Sequence, residues 1–547
     1  MSVQTHTSSL PPPQGGLGAR ISWLFARLLS NPNPVWIREL RQSARLTRTP
    51  VILAAITSTM TLLIASIGGV LSATSEPAQV GIGVFHTFFS LAFAVVTWVG
   101  PAVAAATIAS ERSGRTWETL LLTGLSPAAI ARGKFLAALT YVALYIVMLA
   151  PVGGLSFLFG GVTPAEVVLA FALLLLIAGL SVAFGLAVSS KLSSPSVSIL
   201  VTLLVAVPLS IVVYTAGGVG LSLVARDQWP GITGGAPVWL PTAYVRADFS
   251  LAYLVFLVLF PLIAAVVPAW LFYEVTIANM ASASDDRSTR LRVWLLACGP
   301  LLGIANVLAA LAMTKSEWCF AGQITCWLFS LFGAFLVAGE PLGPSLRVET
   351  HWGRAHASAL RRAVGPGVGR AAGAVVLLTL VCQTAVTAVG VLLARSRDDR
   401  LALLGFGAYA IGFSLFCVGF AAWARSRTSA GSLPRVLLIS ATLLALLGPY
   451  IAMAIGGMFA EDNLKMRLVA APSPAFAFAA YERFQSPGGS AELYGLAGAG
   501  AALGWALIGL GLLALGATRA RQRWARERAV AANPAPAAAP VANAAGA

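Results

Sequence analysis

Long apolar runs recur through this chain, and they constrain its fold more than any other feature. Twelve of them are long enough to cross a hydrocarbon core of about 30 Å as helices. They lie near residues 51–72, 82–109, 135–158, 165–189, 196–216, 249–273, 293–313, 322–340, 372–394, 401–423, 436–459 and 494–518. A lipid core leaves backbone polar groups without water, so chains cross it as helices or closed barrels, and runs of this length indicate helices. The sequence therefore predicts an all-α, polytopic membrane helix bundle of about 12 transmembrane helices.

The composition and charge of the chain agree with this class. With 58% hydrophobic and only 10% charged residues, the chain has too little polar surface to cover a soluble fold. The net charge of +16 is typical of arginines that meet anionic lipids at the cytoplasmic face. A nucleic-acid partner would require a basic domain with groove-reading or aromatic elements, and the sequence has none. We therefore expect membrane lipids as partners and no nucleic acid.

The distribution of lysine and arginine predicts the orientation of the spans. With the N-terminus inside, 27 of the 36 basic residues fall in inner segments and 9 in outer ones. Basic residues concentrate in cytoplasmic loops, so this bias favours the arrangement. We expect a multi-pass protein of the cell (inner or plasma) membrane with both termini in the cytoplasm.

The predicted spans group into two sets of six. The sequence predicts a polar N-terminal tail over 1–30, a first six-span domain over 31–275 and a second over 276–520. Residues 521–547 are basic and then rich in alanine and proline, which is typical of a disordered tail.

An amphipathic segment precedes the first run. Residues 34–48 are predicted to form a helix with Asn33 as its cap. At 100° per residue, one arc of this helix is apolar and the next is basic, which suits a helix that lies among lipid headgroups. The side chains assigned to this interfacial helix are Trp36, Ile37, Arg38, Leu40, Arg41 and Arg45.

A polar segment separates the second and third runs. Thr116 is placed to cap a short helix over about 115–123, and Gly124 is placed to end it. Ser126 followed by Pro127 then predicts the start of the next helix, since a hydroxyl caps an N-terminus and proline suits the first helical position. The segment is therefore predicted to be a short helix held between two spans.

Two motifs in this region resemble a known family. The first is the series Glu111-Arg112, Gly114, Thr116, Glu118, Leu120-Leu121, Leu125-Ser126, Ile130 and Gly133-Lys134. It resembles the cytoplasmic coupling segment of the permease subunits of type-2 ATP-binding-cassette (ABC) exporters. The segment from Asn33 to Arg41 is similar to the entry helix of the same family. The resemblance covers roughly residues 31–275.

The resemblance implies a function for the short helix. In this family it is a cytoplasmic coupling helix that docks into a groove of a separate ATPase subunit. The residues expected to couple are Glu111, Arg112, Trp117, Glu118, Leu120 and Leu121. ATP and magnesium would then bind to the ATPase partner and not to this chain. The permease would pair as a homodimer, or as a pseudo-dimer within one chain, and would export a substrate that the sequence does not name.

Motifs for chemistry within the chain itself are missing from the sequence. No G-x-x-x-x-G-K-[ST] phosphate loop occurs, and the four histidines do not converge with cysteines or carboxylates at metal-ligand spacing. We therefore expect no catalytic, cofactor or metal site, and ATPase activity only with a partner. No charged residue lies near the centre of a span, which argues against an ion-coupled secondary transporter.

Two further alternatives remain open from the sequence. Cys319 and Cys326 flank a predicted external turn, where they could form a disulfide or could be two unrelated apolar positions. The chain could also be a polytopic membrane enzyme or an assembly scaffold without a transport path. Loop 340–370 is the only candidate polar cluster for such a role.

Overall fold

The computed structural model describes residues 32–44, 48–73, 75–232, 240–282, 284–429, 431–457, 467–485 and 491–532. In these residues the chain is all-helical and contains no strand. The expected tails, 1–30 and the end of 521–547, lie largely outside the described residues, as does Arg45 of the interfacial helix.

Twelve helices of the described part are long and apolar enough to cross a membrane, and each coincides with a predicted run. The helices are α1 Pro34–Ala44, α2 Arg48–Ser72, α3 Pro77–Ser113, α4 Trp117–Leu122, α5 Pro127–Leu158, α6 Pro164–Ser189, α7 Pro195–Val213, α8 Leu221–Gln228, α9 Leu240–Arg246, α10 Phe260–Met280, α11 Thr289–Met313, α12 Glu317–Ala338, α13 Leu346–Arg354, α14 Ala359–Ala363, α15 Val368–Leu393, α16 Arg397–Arg427, α17 Ser432–Gly457, α18 Phe476–Gln485 and α19 Ala491–Ala532. Two π-helical segments, Tyr214–Gly220 and Tyr253–Leu259, extend α7 toward α8 and lead into α10.

Proline and hydroxyl residues define where several of the long helices begin. Helices α3, α5, α6 and α7 all have proline at the first helical position, where its missing N–H is not needed. Ser126 accepts a hydrogen bond from the backbone N–H of Ala129 at the start of α5. At the start of α6, Thr163 and Glu166 form a reciprocal capping box. Residues close to each break in the apolar pattern therefore determine where the spans begin.

The chain divides into two compact units, Met1–Thr215 and Ala216–Ala547. In the first unit α3 is the central helix and packs against α2, α5, α6 and α7. Phenylalanines from α3 and α6 form part of its core, with the rings of Phe89 and Phe171 5.0 Å apart. The end of α3 is fixed to α6, because the hydroxyl of Ser189 accepts hydrogen bonds from the N–H groups of Ile108 and Ala109.

In the second unit α12, α15 and α16 pack against one another, and α19 runs along α16. The span containing α10 belongs here, since the indole N–H of Trp294 in α11 donates to the carbonyl of Val267 at 2.8 Å. The contacts thus divide the chain after Thr215, whereas the sequence predicted a boundary between 275 and 276. Helix α17 has most of its surface exposed and contacts the rest of the unit sparsely.

Of the two alternatives left open for Cys319 and Cys326, the structure shows no disulfide: both thiols are free and buried. Both residues lie within α12, and no turn separates them. Seven positions along a helix correspond to about 10 Å, well beyond the reach of a disulfide. The apolar run begins earlier than the sequence predicted, so the polar residues around Cys319 are part of the helix.

Candidate functional site

The entry helix α1 lies against the beginning of α5. The amide nitrogen of Asn33 donates to the carbonyl of Ala129 at 2.7 Å, and its side-chain oxygen accepts from the N–H of Val35. Val35 is buried over Gly133, where an added Cβ would lie 2.6 Å from the Cβ of Val35. Glycine at position 133 therefore allows the two helices to approach this closely.

Four charged side chains meet where α1, the end of α3 and the beginning of α5 come together. This four-charge cluster consists of Arg38, Glu39, Glu111 and Lys134. The ammonium of Lys134 lies 3.0 Å from Glu39 Oε1 and 3.1 Å from Glu111 Oε1. It also donates to the carbonyl of Thr107, and its side chain is 0% exposed. Lys134 thus joins the entry helix to both spans that flank α4.

Arg38 lies on the solvent side of the cluster. Its guanidinium pairs with Glu111 and lies 3.1 Å from Glu39. Partial burial lowers the pKa of Arg38, but hydrogen bonds and charge interactions with Glu39 and Glu111 outweigh it, and the net pKa is raised. The cluster therefore contains two positive and two negative charges, which is the balance that a buried group of ions requires.

Helix α4 is held to the end of α3 by short contacts. The N–H and the hydroxyl of Thr116 both donate to the carbonyl of Glu111, at 3.0 and 3.3 Å. The guanidinium of Arg112 lies 5.3 Å from the centre of the Trp117 ring, a cation–π contact. At its other end, Gly124 adopts a left-handed conformation with φ +73° and ends the helix as predicted.

The two faces of α4 differ sharply in exposure. Leu120 is only 5% exposed and Trp117 is half-buried, whereas Leu122 is 86% exposed. Glu118 is exposed beside Leu122, and the side chain of Leu121 lies outside the described part. The outward face of α4 is therefore formed by Glu118 and Leu122, with one edge of Trp117.

Comparison with known families identifies this part of the chain. Residues 40–234 match the model of the family described as ABC-2 family transporter protein. They form an ABC-2 transporter membrane region. No curated protein and no solved structure matches the chain. Members of this family are membrane components of transport and are generally not catalytic themselves.

In two details, the structure of the ABC-2 region differs from what the sequence suggested. Thr116 was expected to cap α4 through its hydroxyl, but that hydroxyl donates backward to Glu111 instead. Leu120 was expected on the docking face, but it packs inward, because a six-residue helix across the ends of two spans must bury one side to stay in place. Leu122, to which the sequence analysis assigned no role, is exposed instead.

The entry helix is also more strongly bound than a helix that lies only among headgroups. Trp36, Ile37 and Leu40 are half-buried, and the indole N–H of Trp36 donates to the hydroxyl of Thr140 on α5. Arg41 is exposed, and its place among lipid headgroups stays a prediction. Arg38, however, pairs with Glu111 of the ABC-2 region.

Lys134 and Glu39 lie in the two family-like motifs, but the sequence suggested no role for either of them. A signal was present, because Lys134 begins an apolar run that continues with Phe135 and Leu136. A lysine at such a place must reach water or pair with a carboxylate. Among the described residues, no group of three or more His, Cys, Asp or Glu is arranged to bind a metal ion.

Proposed function

We propose that this chain is the permease subunit of an ABC exporter, which moves a substrate outward with ATP hydrolysed by a separate ATPase subunit. The four-charge cluster carries this proposal together with the ABC-2 match. The cluster joins the entry helix to both spans that flank α4, so force on α4 would reach three helices at once. A short helix fixed in this way transmits displacement better than a flexible loop.

We assign the contact with the ATPase to the outward face of α4. Glu118 and Leu122 are exposed there, and the edge of Trp117 extends the face. Glu111 and Arg112 orient the helix from α3, and Leu120 anchors it from below. Leu121 stays a candidate contact on the basis of the motif alone. ATP and magnesium would bind the ATPase partner, and this chain would supply no nucleotide-binding group.

The proposal places α4 and both termini in the cytoplasm of a cell-membrane protein. The 27 to 9 distribution of basic residues supports this orientation. Single cysteines at Ser113 and Glu76, which lie near opposite ends of α3, test it in intact cells with a membrane-impermeant thiol reagent. We expect Glu76→Cys to react and Ser113→Cys to be protected; the reverse pattern would refute the orientation.

Crosslinking identifies the partner and tests the contact. A photoreactive thiol crosslinker on Glu118→Cys should capture a protein that contains a phosphate-binding loop, and the same reagent on Glu76→Cys should not. The number of ATPase subunits captured per permease chain then distinguishes a homodimer from a pseudo-dimer. Capture of no such protein from position 118 would refute the proposed contact.

Substitutions then separate docking from folding. Trp117→Ala combined with Leu122→Ala removes outward apolar contact, and such anchors often cost 2 kcal/mol or more at an interface, or roughly thirtyfold in association. The amount of permease in the membrane should stay unchanged. Leu120→Ala should instead lower the amount of folded permease, since this side chain is buried. Unchanged partner capture by the double variant at unchanged permease level would mean that α4 is not the docking helix.

A further inference from the structure

A second cluster of charges lies in the other unit, where α11, α12, α16 and α17 have neighbouring ends. This arginine cluster consists of Arg292, Arg425 and Arg435 around the carboxylate of Glu340. Arg292 and Glu340 form a buried ion pair at 3.1 Å. Arg292 also donates to the carbonyls of Val364 and Gly365, before α15. The one negative charge of the cluster is therefore already paired.

Neither of the other two arginines forms an ion pair with a carboxylate of the described residues, although Glu340 acts on both at longer range and Glu527 acts on Arg425. Arg425 donates only to backbone carbonyls, those of Glu340 at 2.7 Å and Thr428 at 2.8 Å. The guanidinium of Arg435 lies 5.0 Å from the centre of the Phe335 ring, and its buried Nε has no hydrogen-bond partner. Within the described residues, no carboxylate lies within ion-pair distance of either side chain.

The carboxylate of Glu340 acts on all three arginines, but it is one negative charge against three positive ones. Burial raises the pKa of Glu340 and outweighs the lowering effect of Arg292, so its net pKa lies above the usual range. A partly buried guanidinium without a counter-charge is costly, and folded proteins normally provide one. The described residues thus leave an excess of positive charge at this place, which a bound anion would balance.

The surroundings indicate what kind of anion this is. The arginines lie at span ends, and beside them Arg427 lies 4.7 Å from the ring centre of Trp423, a residue type that marks the membrane interface. From this level α17 extends with an apolar, sparsely packed surface that includes Leu437, Leu444 and Leu447. A headgroup site that adjoins an exposed apolar helix surface fits a lipid better than a free ion.

We propose that Arg425 and Arg435 bind the phosphate of an anionic phospholipid whose acyl chains lie along α17. The lipid balances the excess positive charge of the described residues in the arginine cluster and lies beside a span with few protein contacts. Basic pockets between membrane helices on the cytoplasmic side are known to bind lipid headgroups in this way. The site is independent of the proposed coupling contact and of the substrate.

Lipid titration of the purified full-length chain in neutral detergent tests the site. Bound lipid is counted by native mass spectrometry, and the thermal midpoint is measured in parallel. Phosphatidylglycerol should bind and raise the midpoint, whereas phosphatidylcholine should do neither. Arg435→Gln should weaken phosphatidylglycerol binding about tenfold, the loss expected for one charged hydrogen-bonding group. The control Arg526→Gln, at an exposed position of α19, should bind like the unaltered chain.

The stability of the lipid-free chain provides a second measurement. Removing an unpaired charge should leave the lipid-free Arg435→Gln chain at least as stable as the unaltered one, so the variants should differ only when phosphatidylglycerol is present. Arg435→Lys, which keeps the charge, should retain binding within about threefold. Equal binding of the two lipids, equal loss in Arg526→Gln, or full stabilisation by inorganic phosphate alone would each overturn the proposal. If Arg435→Gln does not fold, Arg425→Gln takes its place under the same criteria.

Discussion

Two polar segments occupy comparable places in the two units, and their contacts differ. The first, between α3 and α5, contains α4, and among the described residues its polar contacts run only to the adjoining ends of α3 and α5. The second, between α12 and α15, contains α13 and α14 and is bound to several other parts of its own unit. Arg347 pairs with Asp285 at 2.7 Å, and Glu349 pairs with Arg528 at 2.7 Å.

Aromatic residues strengthen the difference. In the second segment, Trp352 is buried under Arg370, and the indole N–H of Trp524 donates to the carbonyl of Pro344. In the first segment, Trp117 keeps an exposed edge and Leu122 is almost fully exposed. A segment tied to its own unit has little surface left for a partner. The comparison therefore favours α4, and not loop 340–370, as the place where a partner binds.

The largest expected effect comes from the four-charge cluster. Lys134→Met removes the buried positive charge that pairs with Glu39 and Glu111. Breaking a buried ion pair in this way typically costs about 3–5 kcal/mol of folding free energy. The thermal midpoint of the purified chain and its yield in the membrane should both fall. Arg132→Met, at an exposed position on the same helix, is the control and should have little effect. Equal midpoints for the two variants would show that the cluster does not hold α1 and α5 together.

Trp352 and Trp117 allow a direct test of this difference between the two segments. Trp352→Ala removes a buried ring and should cost about 3 kcal/mol or more of folding free energy. Trp117→Ala removes a half-buried ring from a short helix, so it should affect partner binding and change stability much less. Thermal unfolding of both variants in the same detergent measures the difference. If Trp117→Ala destabilised the chain as much as Trp352→Ala, α4 would be a structural element like α13.

A smaller effect is expected at the contact between α1 and α5. Gly133→Ala forces a methyl group against Val35 and Asn33, and overpacking of this kind costs about 1–3 kcal/mol. Gly154→Ala is the matched control on the same helix, because an added Cβ there meets no atom within 4 Å. That control should be neutral or slightly stabilising, since alanine favours the helix. The entry helix should become more accessible to protease only in Gly133→Ala.

The smallest effect is expected for an exposed ion pair of the second segment, which contains α13 and α14. Arg528→Gln removes the pair with Glu349, and pairs that water reaches contribute at most about 1 kcal/mol. The difference in thermal midpoint from the unaltered chain should disappear at high salt, because salt screens exposed charges. A large, salt-insensitive loss would mean that this pair, and not the burial of Trp352, holds the second segment.

Much of the fold was predictable because its causes are local. All twelve apolar runs form helices long enough to span a membrane, and the C-terminal end of α4 and the start of α5 follow Gly124, Ser126 and Pro127. These features depend on residues a few positions apart, which the sequence displays directly. The family of residues 40–234 was likewise predicted from motif spacing within one segment.

Other features depend on residues far apart in the chain. Lys134 and Glu39 are 95 positions apart, and Trp524 and Pro344 are 180 positions apart. The sequence left a disulfide between Cys319 and Cys326 open, and the pair is not bonded because α12 begins earlier than its apolar run suggests and includes both cysteines. Leu120 faces inward because of how α4 lies on its neighbours, which a six-residue pattern does not specify.

The sequence by itself determined the class of this protein, because a chain of twelve long apolar runs satisfies its backbone in lipid only by forming helices. It also determined where most helices begin, since caps and prolines act within a few residues. Only the tertiary structure decided which charges pair, which face of α4 is exposed and where positive charge is in excess. Those properties arise from the packing of distant segments, where each buried charge must find a partner that the local sequence does not contain.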